Sequence, residues 1–148
     1  MEQLLNDTEI SQLSSVESMY HDSLEWQLEV ALWKQELKFF QKMLDINARH
    51  CHTSLQKKKL GHFQNLIIYY NGELLDQFRQ QTRRSSKYLA QCIENDTTFD
   101  HDTYQQKFGG MRGQLRAFAG EYRKYKKEFF QFMEEVMEHS VQKQEPAL

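Results

Sequence analysis

One uninterrupted seam constrains this chain more than any other feature. Tyr104, Phe108, Met111, Leu115, Phe118, Tyr122, Tyr125, Phe129, Phe132, Val136 and His139 follow one another at alternating spacings of four and three residues. That rhythm marks one face of a helix buried against partner helices, and a strand, which alternates with period two, cannot carry it. A helix over about 101–140 follows, and at 1.5 Å rise per residue it is a rod of roughly 50 to 60 Å.

The same stretch contains Gly109, Gly110, Gly113 and Gly120. A glycine inside a helix gives up roughly 1 kcal/mol relative to alanine. With Phe108 at heptad position a, these glycines fall at b, c, f and f, all pointing away from the seam. Gly110, Gly113, Ala117 and Gly120 then form a stripe of minimal side chains along the back of the helix. We expect this stripe to be an interaction face against which another helix backbone packs closely; the competing expectation is a solvated surface whose glycines are merely tolerated.

Two further helices are legible. Trp26, Val30, Trp33, Leu37, Phe40 and Leu44 repeat the same rhythm, with Leu28, Leu32, Phe39, Met43 and Ile46 widening the stripe, so a helix is predicted over about 17–51. Thr53-Ser54-Leu55-Gln56 has the form of a capping box and starts another helix over about 54–94. Its seam of Leu60, Phe63, Ile67, Tyr70, Leu74 and Tyr88 runs through Gln77, Gln81 and Arg84, which predicts a polar layer facing the partner helices. Asp100 or Asp102 is the expected N-cap of the last helix. Residues 1–16 are expected to be a flexible lead, 17–141 the three-helix body, and 142–148 a flexible tail.

Composition agrees with this reading. The chain has one proline and six glycines in 148 residues, too few for the turns of a β-sandwich, and Leu66 to Tyr70 is the lone segment that could pass for a strand. Hydrophobic residues at 39% are few and aromatics at 13% many, as suits a thin core filled by large side chains. The predicted fold class is all-α: an elongated antiparallel three-helix bundle, an up-down-up coiled coil, because short turns force neighbouring helices to reverse.

Ser23-Leu24-Glu25-Trp26, Trp33 to Phe40, His62-Phe63-Gln64-Asn65 and Glu128 to Phe132 together resemble a set of small uncharacterised helical bacterial proteins. The resemblance spans most of residues 20–138 and rests mainly on packing positions. It implies a three-helix antiparallel coiled coil of unknown function and brings no active site with it. The glycine-rich stretch departs from the charged helix expected at that place.

Candidate chemistry is sparse. His50, Cys51 and His52 at the first turn, His62 on the second helix, and Glu135 and His139 on the third converge on one pole if the helices reverse as predicted. His50, Cys51, His62, Glu135 and His139 are the alternative metal-ligand set. Facing Glu-x-x-His pairs are absent, so the first expectation is no metal and no cofactor. Cys51 and Cys92 fall at opposite ends and are expected to be reduced thiols. Lys57-Lys58-Lys59 and Arg123 to Lys127, interleaved with Tyr122 and Tyr125, are basic clusters, yet the tyrosines belong to the seam and Glu121 and Glu128 dilute the charge. Glu25 or Glu29 is expected to meet Arg83 or Arg84.

With 19 basic and 21 acidic residues the net charge is −2, and no global attraction to nucleic acid or anionic membrane is expected. A basic, apolar leader and a membrane-length apolar run are both missing, which predicts a cytoplasmic protein. No paired carboxylates, activated nucleophile or phosphate-cradling loop points to an enzyme. The expected function is a non-enzymatic structural or protein-interaction module that presents a helical face to a partner or to its own copy. The alternative is a metal- or small-ligand-binding helical bundle using the histidine-rich pole.

Overall fold

The computed structural model describes the backbone of residues 7–95 and 101–144. It contains α1 (Asp7–Asn47), α2 (Ser54–Tyr69), α3 (Leu75–Asn95) and α4 (His101–Gln144), with a 3-10 turn at Ala48–His50 and a π turn at Tyr70–Leu74. Because the π turn carries α2 directly into α3, the chain is an all-α protein of three helical stretches, with no strand among the described residues. The strand-like run at 66–70 is helical. Helix α1 begins at Asp7, inside the expected lead, and Asp100, one of the two expected caps, lies outside the described residues.

The break between α1 and α2 is built locally. Thr53 Oγ1 accepts from the Gln56 amide at 3.0 Å while Gln56 Oε1 accepts from the Thr53 amide at 3.2 Å, so the capping box read from the sequence is present. The same Gln56 oxygen also accepts from the His52 amide at 3.0 Å. Three free amides at a helix start are satisfied by two side chains.

The chain divides into two compact units. The first combines Met1–Leu32 with Gln77–Leu115 and the second Trp33–Asp76 with Arg116–Leu148. In the first unit Val16, Met19, Leu89, Cys92 and Phe108 form the buried cluster, flanked by Trp26, Tyr104 and Met111. Trp26 stacks on Phe108 at 4.6 Å between ring centres, and Arg112 lies over both rings while reaching Asp22 at 3.3 Å. Gln27 donates to the Thr82 carbonyl at 3.0 Å and to Ser86 Oγ at 2.6 Å.

The polar layer differs from the expected one. Gln77, Gln81 and Arg84 are exposed, and Leu75, Phe78, Thr82, Ser85, Leu89 and Cys92 are buried instead. The π turn is the cause. From Tyr70, itself buried, the next buried seam residue is Leu75, five positions on rather than four, after which spacings of three and four resume. A π turn absorbs one extra residue, so every later seam position moves by one. The buried polar groups of α3 are therefore small hydroxyls with partners: Thr82 Oγ1 donates to the Arg79 carbonyl at 3.2 Å, and Ser85 shares a hydrogen bond with Tyr104 of α4.

The second unit is an aromatic stack. Phe118, Tyr122, Tyr125 and Phe129 follow each other along α4 with ring centres 5.4, 6.2 and 6.1 Å apart. Trp33 meets Phe118 and Tyr122, Phe40 meets Phe129, and Phe63 meets Tyr125, Phe129 and Phe132. The α4 seam is buried from Phe108 to Val136 except at Met111, which is half-buried like Tyr104, while His139 is exposed. Two phenol groups buried here have partners: Tyr125 donates to the Phe63 carbonyl at 3.1 Å and Tyr122 to Glu36 at 3.3 Å. Burial pushes both hydroxyls well above the ordinary tyrosine pKa, with the Glu36 charge adding to the shift at Tyr122.

Candidate functional site

The histidine-rich pole does not assemble a ligand set. His50 accepts from Arg49 at 3.3 Å, and Cys51 is buried with its thiol directed at the Asn47 carbonyl at 3.7 Å. Burial raises the Cys51 pKa, which keeps it a protonated thiol rather than a nucleophile. His62 is exposed beside the Phe63 ring. Glu135 lies 4.0 Å from Lys59, a pair about half exposed on both sides and worth at most about 1 kcal/mol. His139 takes a hydrogen bond from Gln56 at 3.0 Å. No group of three or more His, Cys, Asp or Glu side chains among the described residues is placed to hold a metal ion. Each donor meets a different partner, near in sequence for His50, Cys51 and His62 and across from α4 to α2 for Glu135 and His139.

The small-residue stripe is open. Gly110, Gly113, Ala117 and Gly120 are all exposed, and a Cβ built on any of the three glycines meets nothing within 4 Å. Their absent side chains make room for no neighbour within the protein. Cys51 and Cys92 are both free and buried. Among the described residues neither Arg83 nor Arg84 pairs with Glu25 or Glu29; α3 meets α1 through Thr82 and Ser86 at that level. In the basic cluster of α4, Tyr122 and Tyr125 are buried while Arg123, Lys124 and Lys127 are exposed, so no aromatic face is presented between the cations for a base to stack on.

Two surfaces missed by sequence reasoning stand out. The first is in the second unit, where Phe39 is 55%, Ile46 62%, Phe130 51% and Val141 59% exposed. Phe39 and Ile46 were expected to widen the core stripe of α1; both point outward instead, as Leu28 and Leu32 do in the first unit, at 73% and 53%. Phe40 joins the two helices at this surface, in contact with Phe39 on one side and Phe130 on the other. Along its α1 flank run the exposed Lys38 and Lys42, along its α4 flank the exposed Glu134 and Glu138, and none of these four is ion-paired among the described residues.

The second surface is a groove of about 700 Å³ in the first unit between α3 and α4. Gln81, Arg84 and Tyr88 contribute from α3, and Lys107, Gly110 and Gln114 from α4. On its wall Ser85 and Tyr104 share a hydrogen bond of 2.6 Å, and the Tyr88 ring lies 4.9 Å from that of Tyr104. Burial raises the Tyr104 pKa. The sequence named Gln81 and Arg84 as core-facing, and the π turn rotates them outward into this groove.

What fold and surfaces define is a small all-α protein of three helical stretches. Comparison with known proteins finds no matching family model, no matching curated protein and no matching solved structure. The bacterial grouping that the sequence resemblance implies gains no support beyond the helical architecture. No described helix is long and apolar enough to cross a membrane.

Proposed function

We propose that the protein is a non-enzymatic, cytoplasmic interaction module whose helices form an antiparallel up-down-up bundle and present one face to a second copy of the chain. Contact order supports the bundle. In the second unit Trp33 pairs with Phe118 and Phe40 with Phe129, so numbers rise together on α1 and α4, whereas Phe63 meets Phe132 and Tyr70 meets Phe118, so numbers on that stretch run the other way.

The observation that carries the functional reading is the exposed apolar surface of Phe39, Ile46 and Phe130 beside a closed core. Contiguous exposed apolar side chains rimmed by charge mark association sites. A second copy fits because the rim is self-complementary: in a two-fold contact that lays α1 on the partner's α4, Lys38 and Lys42 meet Glu134 and Glu138 twice over. Charge reversal tests it. Lys38→Glu with Lys42→Glu should weaken self-association measured by light scattering, and adding Glu134→Lys with Glu138→Lys should restore it. Failure of the second pair to rescue the first removes this arrangement.

A further inference from the structure

The groove between α3 and α4 has the chemistry of a ligand site independent of the association face. Its volume of about 700 Å³ lies in the range that holds one small organic molecule. Its charge is one-sided among the described residues: Arg84 and Lys107 line it, no carboxylate does, and neither cation is ion-paired. In a chain with more acidic than basic residues, that concentration of positive charge runs against the average.

The remaining walls suit a flat apolar body. The 39%-exposed Tyr88 has its ring against the Tyr104 ring, and Phe108 and Met111 also line the groove. Gln81 and Gln114 supply neutral donors and acceptors at the edge. Gly110 lines the opening, and a Cβ built there meets nothing within 4 Å. A glycine that costs helix stability and opens a cationic groove has a use that a solvated glycine lacks.

We infer that this groove binds a small planar organic anion, with its aromatic body against Tyr88 and its carboxylate, sulfonate or phosphate held by Arg84 and Lys107. Cation and ring act together here, because a guanidinium and an ammonium hold an anion best beside a surface that excludes water. The volume of about 700 Å³, the scale of one small organic molecule, favours a small ligand over a helical peptide.

Anilinonaphthalene sulfonate is the probe, titrated by fluorescence into the full-length protein, with its site mapped by amide chemical shifts. The expected result is saturable binding whose shifts cluster at 81–88 and 103–114. Arg84→Gln with Lys107→Gln should weaken it by at least about tenfold, as the loss of charge-assisted hydrogen bonds requires, and should leave the uncharged phenylnaphthylamine unaffected. Gly110→Leu separates binding from folding: it fills the groove and should abolish dye binding while the helix, relieved of a glycine, unfolds at higher temperature. Naphthoate should displace the dye competitively. Unchanged affinity in the double variant, or shifts centred elsewhere, overturns the site. Displacement by an acidic helical peptide and not by naphthoate overturns the small-ligand assignment.

Discussion

Gln56 and His139, 83 positions apart, are joined by a side-chain hydrogen bond of 3.0 Å. The Gln56 oxygen is already committed to the amides of His52 and Thr53, so its NH₂ group faces the imidazole and must donate. His139 therefore accepts at Nδ1 and carries its hydrogen on Nε2. One glutamine caps α2 and anchors the C-terminal part of α4. Gln56→Ala should cost about 1 to 2 kcal/mol in urea unfolding, and His139→Ala, which leaves the capping box whole, less than about 1 kcal/mol. Nitrogen shifts of the His139 ring report the tautomer directly. Equal losses in the two variants would contradict the dual role.

The π turn makes a prediction that runs against intuition about deletions. Removing Gly72 restores a spacing of four between the buried residues now at Tyr70 and Leu75, turning the π turn into ordinary helix with both flanking faces in place. The deletion should therefore be tolerated within about 1 to 2 kcal/mol, part of it the lost bond from Lys34 Nζ to the Asn71 carbonyl at 3.0 Å. Inserting an alanine after Gly72 should rotate α3 by about 100° and unfold the first unit. Circular dichroism with thermal unfolding distinguishes the two.

Glycines with open surroundings predict gains. Gly113→Ala and Gly120→Ala should each stabilise the protein by roughly 0.5 to 1 kcal/mol, because the added methyl meets nothing within 4 Å and alanine is the better helix former. A loss of stability at either site, read from thermal unfolding, would mean that the helix there is not open.

Alkaline stability follows from Tyr122 and Tyr125. Their folded-state pKa values are raised, chiefly by burial, above the unfolded value of about 10. The folded chain thus binds protons that the unfolded chain releases. Their contribution to stability is whole below about pH 10 and is lost as pH climbs above it toward the folded values. Absorbance titration should find these phenols ionising together with the loss of helix, and Tyr122→Phe should lessen the alkaline sensitivity.

Much of this architecture was legible, and the misreadings have identifiable causes. The α4 seam was read correctly from Phe108 to Val136 because glycine lacks the power to disturb a rhythm that large aromatics fix on the opposite face. On α1 the positions were right at Val30, Trp33, Leu37, Phe40 and Leu44 and wrong at Phe39 and Ile46, since hydrophobicity shows that a side chain seeks cover without showing whose. On α3 the signal existed: Leu75, Phe78, Leu89 and Cys92 fit one run of three and four, but it could be found only by allowing one extra residue after Tyr70. A ligand pocket at Gln77, Gln81 and Arg84 was conceivable from the sequence, but inside the bundle, and the extra residue after Tyr70 turns Gln81 and Arg84 out to the groove instead. The pole of histidines was legible as a cluster in sequence and not as geometry.

The most direct test of the central claim is sedimentation equilibrium of the parent chain beside the double variant Phe39→Glu, Phe130→Glu. Both side chains are more than half exposed, so the variant should keep the helical content and unfolding midpoint of the parent. The account predicts a parent that moves from monomer to dimer as concentration rises and a variant that remains monomeric throughout. A parent that stays monomeric, or a variant that dimerises as the parent does, would contradict it.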